Sequence, residues 1–91
     1  MSPEEILKEA AGIAEGKRST HGAENSFRLI ADLWSTYLNL NPSSKLHPSD
    51  VAQMMVLLKM ARSRHGSFNK DDYVDQAGYS GWAGALLSEQ G

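Results

Sequence analysis

The sequence predicts an all-α domain, a compact four-helix bundle completed by self-association. Four segments place apolar residues at helical spacing, and glycine, proline or asparagine separates one segment from the next. No segment alternates apolar and polar residues as a strand would. The chain has 91 residues and no cysteine, so one core without disulfides must stabilise it. We therefore expect a single helical domain over residues 1–91.

The first two helices are predicted on either side of a polar connection. Ser2 can cap the first helix, with Glu5 where a capping box needs a carboxylate. Gly16 is expected to end this helix, so residues 16–24 are interpreted as an exposed connection. The second helix is predicted over residues 25–40. Its apolar stripe, expected in the core, comprises Phe27, Ile30, Trp34, Tyr37 and Leu38.

The third helix is predicted from Pro48 to about His65, where Gly66 can end it. Its apolar residues cover most of the circumference, which is typical of a central helix surrounded by others. They are Val51, Met54, Met55, Val56, Leu57, Leu58, Met60 and Ala61. Three short partners would leave part of such a helix uncovered, and this predicts a homodimer or a larger assembly.

The fourth helix is predicted over about residues 70–88, with Asn69 as its cap. Three glycines lie in it at three-residue spacing: Gly78, Gly81 and Gly84. Because each glycine costs helix stability, the spacing indicates a close approach by another backbone or by a ligand. The alternative is a break in the helix near Ser80.

Charge and hydropathy exclude several classes of protein. The formal net charge of −2 gives no general attraction to a polyanion, so we expect no nucleic-acid polymer as partner. The acidic N-terminal segment, residues 1–10, does not resemble a secretory signal, and residues 51–60 are too few to cross a bilayer. We expect no membrane contact and a cytoplasmic location.

The residues that could carry chemistry lie on the third and fourth helices. Two cations three residues apart interrupt the apolar third helix, and two acids followed by two aromatics share one face of the fourth. In chain order they are Lys59, Arg62, Asp71, Asp75, Tyr79 and Trp82. His21, beside Gly22 in the first connection, is a further candidate, because glycine permits close approach to a ligand.

Two interpretations of these residues stay open. In the structural one, the cations form ion pairs with the two aspartates across the helix interface, and His21 is an exposed loop residue. In the functional one, Lys59 and Arg62 bind phosphates and an aromatic ring stacks on a base. The aspartates then hold a divalent ion such as magnesium, or sugar hydroxyls.

These motifs resemble a family of small phage-encoded helical proteins known as a domain of unknown function. The resemblance spans roughly residues 20–83 and is carried by His21-Gly22, Leu33-Trp34, Asp50-Val51, Lys59-x-x-Arg62 and Asp71-x-x-x-Asp75-x-Ala77-Gly78-Tyr79. The family often continues His-Gly with Asp, whereas this chain has Ala23.

More distantly, the helical order and the Asp-x-x-x-Asp-x-x-x-Tyr ending are similar to the MazG-like all-α nucleotide pyrophosphohydrolases. That likeness implies two acidic pairs that hold magnesium, which bridges the phosphates and activates water. Only Asp71 and Asp75 match here, because Met55, Lys59 and Arg62 stand where a Glu-x-x-Glu pair is expected.

The sequence therefore favours a phage-type protein that captures or sequesters a phosphorylated nucleotide or nucleotide-derived signal in an oligomeric pocket. Retained cations and lost acids favour capture over catalysis. The alternatives are a magnesium-dependent nucleoside triphosphate pyrophosphohydrolase, in which Asp71 and Asp75 bind the metal, and a helical adaptor for a host protein.

Overall fold

Residues 1–20 and 23–90, which the computed structural model describes, form four α-helices and no strand. The helices are α1 (Pro3–Thr20), α2 (Ala23–Tyr37), α3 (Pro48–Ser63) and α4 (Lys70–Gln90). The predicted all-α fold class is therefore confirmed. Within the described part of the chain, no helix is both long and apolar enough to span a membrane.

The start of α1 follows the sequence prediction, and its end does not. The Ser2 hydroxyl accepts a hydrogen bond from the Glu5 backbone N–H (3.1 Å), and the Glu5 carboxylate accepts one from the Ser2 backbone N–H (3.4 Å). These two bonds form the predicted capping box. The helix continues past Gly16 to Thr20, so the predicted stop at Gly16 is wrong. One glycine costs only about 1 kcal/mol in a helix, which neighbouring helical residues can overcome.

Helix α2 ends three residues earlier than predicted, in a Schellman motif. Asn39 takes a left-handed conformation (φ 56°). Its N–H donates to the Thr36 carbonyl, and the Leu40 N–H donates to the Ser35 carbonyl, both at 3.0 Å. This pair of bonds satisfies carbonyls that the helix end would otherwise leave free, and asparagine tolerates the required backbone conformation.

The segment between α2 and α3 is held by side chains. The buried Ser35 hydroxyl accepts a hydrogen bond from the Leu46 N–H at 2.8 Å. Asn41 closes a turn, since its side-chain oxygen accepts the Ser43 N–H at 3.1 Å. At the start of α3, the Asp50 carboxylate accepts the His47 N–H at 2.8 Å. These hydrogen bonds therefore fix the position at which α3 packs against α2.

Helices α3 and α4 form an antiparallel hairpin. Gly66 has the positive φ of 73° that a tight turn needs. Asn69 caps α4 as predicted, because its side-chain oxygen accepts the Asp71 N–H at 3.0 Å. The helix then runs unbroken to Gln90, so the alternative of a break near Ser80 is wrong.

The core lies where α4 meets the other helices. Its buried residues are Phe27, Ala31, Val51, Ala52, Trp82, Ala83 and Leu86. The ring centroids of Phe27 and Trp82 are 5.9 Å apart, which joins α2 to α4. Since α4 packs extensively against both α3 and α1, α4 is the central helix, and the expectation that α3 is surrounded is wrong for the single chain.

Several apolar side chains predicted for the core lie on the surface instead. Trp34 packs against the core as predicted, whereas Tyr37 is 88% exposed. On α3, Met54 and Met60 are exposed together with Leu57 and Leu58. Helix α3 buries only the side that faces α4 and α2, because no other helix of the described residues covers its other side.

Candidate functional site

Lys59 and Asp75 link α3 to α4 at the centre of the candidate site. Lys59 Nζ lies 2.9 Å from an Asp75 carboxylate oxygen, and the two side chains are 14% and 31% exposed. The ion pair that the structural interpretation assigns to these residues is therefore present. A partly buried cation with a carboxylate partner is electrostatically compensated before any ligand arrives.

Arg62 lies beside Asp72, a residue that was not predicted to belong to the site. Arg62 Nε is 3.9 Å from a carboxylate oxygen of the buried Asp72, and the arginine side chain is mostly exposed. Asp71 is exposed and has no ion pair among the described residues. Because the helices are antiparallel, Arg62, three residues after Lys59, lies opposite Asp72, three residues before Asp75. That register could have identified Asp72.

Tyr79 and Trp82 line a cleft with Asp75, although neither ring is freely exposed. Trp82 is buried in the core, and Tyr79 packs edge-on against Phe27 with ring centroids 6.3 Å apart. The cleft lies between α1, α2 and α4 and has a volume of about 20 Å³, close to the space of one water. A nucleotide does not fit inside the cleft itself.

A wider groove between α1 and α4 adjoins this cleft. Its volume is about 300 Å³, at the lower end of the range for small-molecule pockets. The lining is almost entirely small and apolar: Leu7, Ala10, Ala11, Ala14, Ala77, Gly78, Gly81, Trp82 and Ala85. Groove and cleft share Ala10, Ala14, Gly78 and Trp82, so the groove adjoins the cleft that Asp75 lines. The residues on the α1 side of this groove were not predicted from the sequence.

The glycines of α4 leave the groove open. A Cβ atom placed on Gly78 or Gly81 would meet no heavy atom within 4 Å. No neighbouring element of the described chain therefore approaches these glycines closely, and the expectation of a close backbone approach fails within one chain. Gly84 has equally free space but does not line the groove. A close approach to these glycines by a ligand or by a second chain stays a prediction.

The remaining predicted ligands do not assemble into a metal site in the described part of the chain. Among the described side chains of residues 1–16 and 25–89, no three histidine, aspartate or glutamate side chains come together as a metal ion would require. Asp75 is engaged by Lys59. His21 lies outside the described residues, so its contribution to the site stays a prediction.

Fold and site together define a small all-α domain with an open groove beside an interhelical ion pair. Residues 5–87 match the family described as a domain of unknown function, DUF6378. The chain belongs to this family. The predicted resemblance to a phage domain of unknown function is thereby confirmed at the level of the family.

Two curated relatives are phage proteins. The chain is 36% identical over 89 residues to the Gene 55 protein of Mycobacterium phage D29, covering 94% of this chain and 56% of that protein. It is 38% identical over 78 residues to the Gene 55 protein of Mycobacterium phage L5, covering 84% of this chain and 48% of that protein. The chain thus spans about half the length of these relatives.

No solved structure matches the chain. The family and both relatives agree with the phage-type protein that the sequence predicts. They give no support to the more distant likeness to MazG-like enzymes.

Proposed function

We propose that this protein binds a phosphorylated nucleotide, or a signal derived from one, in the groove between α1 and α4. The groove supports this proposal, because its apolar space of about 300 Å³ adjoins the cleft that Asp75 lines, and Asp75 is the ion-pair partner of Lys59. A nucleotide likewise has a flat base, whose faces can lie against apolar side chains, and a charged phosphate end. Such pockets combine an apolar lining with a few polar groups that fix orientation.

The ion pair has donor and acceptor capacity beyond its own contact. An ammonium group has three donors, so the pair with Asp75 leaves others for phosphate oxygens. The carboxylate can accept hydrogen bonds from sugar hydroxyls through its remaining lone pairs. Arg62, mostly exposed and only loosely placed against Asp72 at 3.9 Å, can turn towards a second phosphate. Trp82 contributes the groove wall, since too little of its ring is exposed to stack on a base.

Capture without hydrolysis fits the engaged acids better than catalysis does. The magnesium-dependent mechanism needs Asp75 as a metal ligand, whereas its carboxylate lies 2.9 Å from Lys59 Nζ. Releasing Asp75 for a metal would leave a partly buried ammonium without a partner. In a phage-type protein, capture of this kind would sequester a host signalling nucleotide.

Calorimetric titration with a panel of nucleotides and cyclic or ADP-ribose-type signals, with and without magnesium, tests the proposal. The recovered ligand is then identified by chromatography. Saturable binding of an intact ligand supports capture. Magnesium-dependent cleavage establishes the hydrolase instead, and no binding across the panel shifts the function to a protein partner.

A matched pair of glycine variants locates the site. Gly81→Leu fills the groove, whereas Gly84→Leu puts the same side chain on the same helix outside it. We expect Gly81→Leu to weaken ligand binding at least tenfold and Gly84→Leu to change it less than twofold. Equal effects of the two variants would place the ligand elsewhere.

A further inference from the structure

Helices α2 and α3 present exposed apolar side chains on a surface that no part of the described chain covers. Trp34, Tyr37 and Leu38 of α2 and Met54 of α3 line a common groove of about 270 Å³. Leu33 lies one turn before Tyr37, and Leu57 and Leu58 lie one turn after Met54. We call the exposed residues of this surface the outer patch: Leu33, Tyr37, Leu38, Met54, Leu57 and Leu58.

We propose that the outer patch binds the outer patch of a second copy of the chain across a two-fold axis. This inference goes beyond the proposed function, because it holds whether or not a nucleotide binds in the groove between α1 and α4. It names the face through which the chain self-associates.

The size of the outer patch favours a dimer. Its six side chains leave on the order of 500 Å² of apolar surface in water, near the upper limit for the largest patch on a monomer. Each partner of a standard-size protein–protein interface contributes roughly 800 Å², and homodimer interfaces are about 65% apolar. The apolar area of the outer patch therefore matches what one half of a stable dimer requires.

The chemistry of the outer patch also favours a copy of itself. None of the six side chains carries a charge, so two identical patches meet without like-charge repulsion and without a need for complementary ions. In a two-fold interface the same surface serves both partners, and helical ridges at i, i+3 and i+4 spacing pack into one another. Two copies would then bury the side of α3 that a single chain leaves in water.

Light scattering coupled to gel filtration over a range of concentrations tests the inference. The matched variants are Leu57→Glu, in the outer patch, and Leu87→Glu, on α4 outside it; the two leucines are 58% and 60% exposed. We expect twice the chain mass of 10.0 kDa for the wild type and for Leu87→Glu. Leu57→Glu should be a monomer, or dissociate at least tenfold more readily, with unchanged helical circular dichroism.

Single cysteines give a second readout, since the chain has none of its own. Residue 57 lies in the outer patch and residue 87 outside it, so Leu57→Cys should form a disulfide-linked dimer faster than Leu87→Cys. A wild type that is monomeric at every concentration overturns the proposal, and so does an assembly that Leu57→Glu leaves intact. Nucleotide titration of Leu57→Glu separates this result from the ligand proposal, because the groove between α1 and α4 does not include Leu57.

Discussion

Lys59 on α3 and Asp75 on α4 are joined by an ion pair of 2.9 Å in a partly buried position. The adjacent pair, Arg62 and Asp72, is longer at 3.9 Å, and its arginine is mostly exposed. Two pairs in antiparallel register thus connect the helices of one hairpin. Because Lys59 is more buried than Arg62, the two ion pairs are expected to contribute differently to stability.

Removal of Lys59 or Asp75 should cost more stability than removal of an exposed pair. Lys59→Met or Asp75→Ala alone is expected to lower the free energy of unfolding by about 1–3 kcal/mol, because each leaves the other charge partly buried. The double variant should lose less than the sum of the two, with a coupling free energy of about 1 kcal/mol. Urea denaturation of the four proteins measures this cycle.

The control for that cycle is the more exposed pair of Lys70 and Glu9, which joins α4 to α1 at 3.1 Å. Its coupling free energy should be only about 0.2–0.5 kcal/mol, because solvent screens it. Additive effects of Lys59→Met and Asp75→Ala would show that the pair contributes no more than a surface contact.

Gln76→Met should stabilise the protein. The side-chain nitrogen of Gln76 is buried and has no hydrogen-bond partner among the described residues. Methionine has a similar shape and no donor, so we expect a gain of about 0.5–1 kcal/mol in the free energy of unfolding. The exposed Gln53 provides a matched control, and Gln53→Met should change stability by less than about 0.5 kcal/mol. A loss of stability in Gln76→Met would contradict this prediction.

Asn39 should be the most sensitive residue at the end of α2. Its positive φ of 56° is favourable for glycine and unfavourable for alanine. Asn39→Gly should therefore preserve or raise the melting temperature, while Asn39→Ala should cost about 1 kcal/mol. Asn25→Ala, at an exposed helical position of the same helix, should have little effect. Equal melting temperatures for both alanine variants would contradict the Schellman motif.

Ser35→Ala should release the segment between α2 and α3. Without the Ser35 hydroxyl, the Leu46 N–H loses its acceptor at 2.8 Å, which is expected to cost about 1–2 kcal/mol. Amide hydrogen exchange should accelerate at Leu46, and the free energy of unfolding should fall. Thr36→Ala, which removes an exposed hydroxyl bonded within the helix, is the control. Unchanged exchange at Leu46 would disprove the tether.

The sequence determined the local features of this fold. Four helices, the capping box of Ser2 and Glu5, and the Asn69 cap were predictable because each depends on residues within one helical turn. The Lys59 and Asp75 pair was also foreseen as one of two alternatives, since the charges interrupt otherwise apolar faces. The predicted stop at Gly16 was wrong because a single glycine was taken to end a helix. The end of α2 was predicted three residues too late because the left-handed conformation of Asn39 was not foreseen.

Only the tertiary structure decided how the helices are arranged. Helix α4 became central rather than α3, Asp72 rather than Asp71 came to lie beside Arg62, and the groove between α1 and α4 formed between residues far apart in the chain. The outer patch is likewise exposed because a different side of α3 packs against α4. Periodicity identifies an apolar face, but the angle and register of packing determine whether another helix covers it.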